Sequence, residues 1–266
     1  MCKKFIFFFL TLLCVYTGTV SAAIIDLKTV PLTADSNSLS FDINGVSATV
    51  TAYHVEYNSA DSSTSIYGPF STGTALDSSG WYIPYFGRST NKVTNTTFGL
   101  GLAESENLGQ TDNNIQQGFD NRSVIGALPS FEFALFSFDA PVDVSQVILD
   151  SVSNFKNHVW VAGGNTAPDL TLDFTSAFGG YNFINSPHSA GPVHSFSPME
   201  GITYLAIGAP PRSDSIGDLG SVTGVTNSAQ FYIDGINVSA VPVPAAAWLF
   251  ASGLVCLTGV ARRRKA

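Results

Sequence analysis

The sequence predicts an all-β body of β-sandwich or jelly-roll type, followed by a single C-terminal transmembrane helix. Three observations predict it. Short runs of alternating apolar and polar residues recur between clusters of Gly, Pro, Asn and Asp. Phe, Tyr, Ser, Thr, Asn and Gly abound while only 12% of residues are charged, a composition of strands and turns rather than of helices. Both termini carry uncharged apolar runs beside cations, and the second run has the length of a short membrane span.

At the N-terminus, Lys3 and Lys4 precede an apolar core from Phe5 to about Val20, and Val20-Ser21-Ala22-Ala23 supplies small residues. This order of charge, apolar run and small residues is that of a secretory signal peptide over residues 1–22, cleaved after Ala22 or Ala23 by a signal peptidase. Cys14 follows Leu12-Leu13 rather than a small residue, which argues against a lipoprotein signal.

The body, residues 23–240, is acidic. All 20 acidic residues lie in it but only six of the 12 basic ones, so its net charge is −14 against −8 for the whole chain. Such a body repels nucleic acid and has no basic patch to offset this. Cys2, Cys14 and Cys256 all lie outside it, so it holds no disulfide and depends on its hydrophobic core. Its 218 residues suffice for one large all-β domain or two small ones.

Along the body, strand-like alternation runs over Ala48 to Tyr57, Phe131 to Phe138, Gln146 to Val152, Val159 to Ala162, Leu170 to Phe174, Tyr204 to Ile207 and Gln230 to Ile233, resuming at Ile236 to Val238 after a bulge at Gly235. Phe131, Phe133 and Leu135 share one face of their strand. The polar stretch Glu104 to Asn121 is a long loop or a place where two sheets exchange strands. There is no internal repeat and no strong linker.

Residues 241–266 form a tail of three parts. Val241-Pro242-Val243-Pro244 is a stiff extended hinge, because each proline fixes φ and biases its predecessor toward extended backbone. Residues 245–261 carry no charge, with Trp248 placed for the interfacial aromatic belt. Arg262, Arg263, Arg264 and Lys265 are a basic stop that marks the cytoplasmic side. Both termini therefore place cations inside and the body outside.

The hinge, the Ala245 to Leu254 stretch and the Arg262 to Lys265 block together resemble the PEP-CTERM sorting domain of Gram-negative bacteria. Val243 stands where the family name has Glu, a valine variant. The resemblance covers the last tenth of the chain. It implies recognition and cutting of the tail by an exosortase-type processing protease, with the protein anchored in the membrane beforehand and then at the cell surface or in an exopolysaccharide matrix. The middle of the body also resembles, loosely, the β-rich bodies of other exported PEP-CTERM proteins, at Gly99-Leu100-Gly101-Leu102, Phe119-Asp120-Asn121, Phe131-Glu132-Phe133 and Phe138-Asp139. That likeness implies a jelly roll and carries no catalytic residue across.

Few constellations in the body point to chemistry. Calcium takes six to eight oxygen ligands, and Asp112, Asp120, Asn121 and Glu132 form the best candidate set, with Asp42-Ile43-Asn44-Gly45 a weaker one. Neither has EF-hand spacing, and Asp and Asn are equally the residues of turns. No other cofactor is called for. Trp81, Tyr82 and Tyr85 form an aromatic stretch that reads either as a sugar-binding platform or as strand core, and Trp160 reads as core. His188 and His194 fall in a Pro- and Gly-rich loop without zinc-site spacing. No Gly-x-Ser-x-Gly nucleophile motif occurs, and Glu104 and Glu106 are neighbours on a loop rather than a spaced acid pair. The expectation is an exported, non-enzymatic protein of structural or interaction role. A carbohydrate-binding adhesin and a secreted hydrolase are the alternatives.

Overall fold

In the computed structural model the residues described are 22–35, 37–58, 63–72, 85–91, 96–103, 119–120, 130–151, 159–186, 192–209 and 230–241. Over them the chain forms fourteen strands: β1 (Ala23–Asp26), β2 (Thr33–Ala34), β3 (Leu39–Ile43), β4 (Val46–Asn58), β5 (Ser63–Tyr67), β6 (Ser71–Thr72), β7 (Tyr85–Asn91), β8 (Thr96–Ala103), β9 (Phe119–Asp120), β10 (Ser130–Ser151), β11 (Val159–Gly164), β12 (Asn182–Ser186), β13 (Val193–Gly208) and β14 (Gln230–Ala240). One short helix, α1 (Phe174–Ala177), precedes β12. All strands join one curled sheet, antiparallel except where β6 meets β7.

The two runs expected over Phe131 to Phe138 and Gln146 to Val152 are one strand of 22 residues, β10. Along one edge it pairs with β13 from Phe133 to Ile148; along the other it pairs with β4 as far as Phe138 and with β14 from Val142 onward. Register shifts between Ser137 and Gln146 let the strand turn between these neighbours. Asp139, Ala140 and Pro141 are exposed at the turn, which is why the alternation looked interrupted there. The exchange of neighbours thus occurs within β10 itself.

Its two faces build two cores. Ala134, Phe136 and Phe138 join Val142, Val144, Val147 and Leu149 in the larger cluster, with β3, β4, β13 and β14 supplying Phe41, Val50, Leu205, Ile207, Ile233 and Ile236. Phe131, Phe133 and Leu135 do share a face, and it packs a second cluster with Tyr53, Val55, Trp160, Phe174 and Phe178. Burial on both faces explains the unbroken aromatic character of Phe131 to Phe138, since a strand covered on each side has no need of polar alternation.

The Leu170 to Phe174 run is not a strand. The Asp169 carboxylate accepts from the Thr171 backbone N–H at 3.1 Å and from its hydroxyl at 2.6 Å, folding a turn. Asp173 then caps α1, accepting from Ser176 N at 3.1 Å. These local bonds oppose extension and lay Phe174, Ala177 and Phe178 over the second core. Gly235 is at a bulge, as expected: Ile148 opposes Gly235 and Leu149 opposes Ile233, leaving Asp234 unmatched. A Cβ on Gly235 would lie 2.8 Å from the Ile25 carbonyl oxygen.

Among the described residues no helix is long and apolar enough to cross a membrane. The signal peptide to Ser21, the transmembrane helix 245–261 and the basic stop Arg262, Arg263, Arg264 and Lys265 lie outside the described residues.

Candidate functional site

The two ends of the body lie side by side. β1 runs antiparallel to β14 with Ala23 opposite Val238, and Ala240 is opposite Val142 on β10. Opposed Cα atoms in such a ladder are about 4.5–5.5 Å apart. Ala22 is exposed just ahead of β1, and Ala23 is its first residue. Of the hinge, Val241 follows β14 directly and is exposed, while Pro242, Val243 and Pro244 lie outside the described residues.

Side chains reinforce this junction. Lys28 Nζ lies 2.6 Å from Asp234 Oδ2 and 3.3 Å from Asp150 Oδ2, tying the segment after β1 to β14 and β10. The Asp26 carboxylate accepts from the Lys28 backbone N–H at 2.9 Å and from the Thr29 hydroxyl at 2.8 Å. Partial burial pulls the Lys28 pKa down, but the bonds and charges of Asp234 and Asp150 outweigh it and leave it above the ordinary lysine value.

The candidate calcium ligands are not gathered among the described residues. Asp112 and Asn121 lie outside them. Asp120 ends β9 opposite Gln230, whereas Glu132 is on β10 opposite His54. Glu132 and His54 are 3% and 4% exposed, so Glu132 is buried within the sheet rather than open to a solvent-facing ion site. His54 Nε2 lies 3.6 Å from Glu56 Oε1, and the His54 and Tyr67 rings are 6.3 Å apart. No group of three or more His, Cys, Asp or Glu side chains suited to a metal occurs among the described residues. The weaker set is a hairpin turn. Asn44 and Gly45 have φ of 53° and 76°, both left-handed, between Ile43 and Val46, which face each other across β3 and β4. This is the two-residue turn that matches strand twist.

Of the aromatic stretch, Trp81 and Tyr82 lie outside the described residues, and Tyr85 opens β7 opposite Ala103 on β8 and Ser71 on β6. Trp160 is core, as expected. Its Nε1 donates to the Ala209 carbonyl at 2.8 Å, and its ring meets Phe131, Phe133, Phe174 and Phe178. His194, expected in a loop, is the second residue of β13 and is 1% exposed, while His188 lies outside the described residues. Such burial removes His194 from any solvent-facing role.

One arrangement was not visible in the sequence. On the face of the sheet that also carries the second core, Thr33 opposes Ser40, Ser40 opposes Thr49, Thr49 opposes Ser137 and Ser137 opposes Tyr204. Their neighbours in sequence, among them Leu39, Val50, Phe136 and Leu205, point the other way into the larger core. Five hydroxyl-bearing residues thus form one row across β2, β3, β4, β10 and β13. Thr33 is exposed and the other four are partly exposed. The row ends against Gly164, which opposes Tyr204 on β11. The Tyr181 ring lies over Gly164 so closely that a Cβ there would meet ring atoms at 2.7 Å. Tyr181 is itself tied down, donating from its hydroxyl to the Thr166 carbonyl at 2.8 Å. Burial, and secondarily the neighbouring Tyr204, push the Tyr181 hydroxyl well above the ordinary tyrosine pKa, so it remains a neutral donor. The five positions are scattered from residue 33 to 204, and only the strand register brings them together.

No family model matches this chain, and neither curated proteins nor solved structures gave a match.

Proposed function

We propose that this chain is an exported protein with a non-enzymatic, structural or interaction role, whose acidic β-sandwich body is held on the outer side of a bacterial membrane by its tail. The observation that carries the reading is the pairing of Ala23 with Val238. A body that enters and leaves its fold at adjacent points can be preceded by a signal peptide and followed by an anchor without threading either through the sheet. The compositional facts agree: a net charge of −14 on the body, cations flanking both apolar termini, and no cysteine between Ala23 and Ala240. In this reading a signal peptidase cuts after Ala22, which leaves all of β1 to pair with β14. An exosortase-type protease then acts at Val241 to Pro244, releasing the body to the cell surface or to an exopolysaccharide matrix.

Protease shaving of intact cells tests this. Degradation of the body in whole cells, with the Arg262 to Lys265 end protected, is the expected result. Full-length protein found only in the cytoplasmic fraction, resistant to shaving, would overturn the reading.

A further inference from the structure

We propose that the row Thr33, Ser40, Thr49 and Ser137, with Tyr204 and Tyr181 at its end, is a binding face for a neutral polysaccharide chain lying across the strands. The row is formed by direct cross-strand opposition, so its members are spaced by the distance between neighbouring strands, about 4.8 Å. That spacing is close to the repeat of an extended pyranose chain, so successive sugars meet successive hydroxyls. Each Ser or Thr hydroxyl donates one bond and accepts two, as sugar hydroxyls do, and can serve either partner role. Tyrosine presents a flat apolar ring with one polar tip, which suits stacking on a pyranose face. Tyr204 and Tyr181 pack against the edge of the second core where the row ends, and each keeps part of its surface exposed. Gly164 admits the Tyr181 ring over the strand, so the aromatic end of the face depends on the absence of a side chain there.

Charge selects the occupant. No member of the row is an acidic or basic residue, the adjoining position on the same strand face is Asp42, and the body as a whole is strongly negative. An anionic polymer is repelled by this surface, whereas an uncharged one has no electrostatic cost. The choice of a polysaccharide partner rests on the proposed outward-facing role, but the surface is defined by register alone.

The test uses the full-length chain in detergent, passed through gels containing cellulose derivatives, dextran, starch or alginate and sedimented with insoluble cellulose and chitin. Retardation or co-sedimentation with at least one neutral polymer and none with alginate is expected. The Thr49→Val, Ser137→Ala double variant and the Tyr204→Ala variant should each weaken binding about tenfold or more, the consequence of losing roughly 1.4 kcal/mol of contact. Their melting curves show that the fold is intact, and Gly164→Ala gives an independent disturbance of the tyrosine end. A Trp81→Ala, Tyr85→Ala variant should bind as the parent does. Absence of binding to every neutral polymer, or parental binding by folded Thr49→Val, Ser137→Ala and Tyr204→Ala variants, overturns the proposal. Failure here with the body still shaved from intact cells leaves the export reading standing. A cytoplasmic chain that binds a glucan through these residues would sink the export reading alone.

Discussion

Lys28 Nζ sits 2.6 Å from Asp234 Oδ2, joining the segment that follows the first strand to the bulge in the last one. Asp234 is the residue left unmatched when β14 passes β10, and the bulge turns its carboxylate to the lysine. The pair therefore closes the sheet where the body begins and ends.

Replacing Lys28 with Met should lower stability by about 1 kcal/mol, the scale of a partly buried pair with more than one carboxylate. The effect depends on pH. The folded pKa of Lys28 is raised above 10.5, so the contribution is fully present below that value and disappears as pH rises through the folded one. Urea midpoints of parent and Lys28→Met should differ at pH 8 and converge as pH rises through the folded Lys28 value. Equal midpoints at pH 8 would show that the pair contributes nothing.

The second core is held by rings. Phe133 is fully buried, with the Tyr53 ring 5.2 Å away and those of Trp160 and Phe178 each 5.6 Å away. Phe133→Ala should cost about 3–5 kcal/mol, the loss of burial plus the cavity left behind. Denaturant titration followed by circular dichroism reads it directly, and a loss below 1 kcal/mol would contradict tight packing there.

Asp173→Ala removes the cap of α1 and should cost about 1 kcal/mol. The hydrogen bonds from Ser176 hold the Asp173 carboxyl below its ordinary pKa. The sign follows: this stability is present above the ordinary aspartate range and is lost as pH falls through the folded value. Parent and variant should differ in melting temperature at pH 7 and agree near pH 2. A constant gap across that range would mean that the cap charge is irrelevant.

At the β3–β4 turn, Gly45 has φ of 76°. Gly45→Val should destabilise by about 1–2 kcal/mol, since a β-branched residue resists the left-handed region. Gly180→Val is a suitable control, since a Cβ at that glycine meets nothing within 4 Å. Loss of stability in Gly180→Val alone would reverse the argument.

Much of the β architecture was legible because alternation leaves a direct trace. Ala48 to Tyr57, Val159 to Ala162, Tyr204 to Ile207 and Gln230 to Ile233 all fall inside observed strands. The bulge at Gly235 was legible as well, from one glycine inside an alternating run. Leu170 to Phe174 misled because an alternating run of five residues is equally available to a capped turn, and the bonds from Asp169 and Asp173 decided between them. Of the candidate sites, Glu132 was grouped with Asp112, Asp120 and Asn121 because it opens the strand that follows their loop in sequence; the residue opposite it in space is His54, seventy-eight positions earlier.

By itself the sequence determined that the body is acidic, thiol-free and built of strands, and that its termini are apolar and flanked by cations. Those are properties of composition and short-range order, which need no partner residue to be read. The tertiary structure alone decided that Ala23 opposes Val238, that Lys28 meets Asp234, and that Thr33, Ser40, Thr49, Ser137 and Tyr204 stand in one row. Strand register decides such relationships, and it is set by which apolar faces bury against each other across the whole chain. A slip of one residue would have turned every one of those hydroxyls into the core.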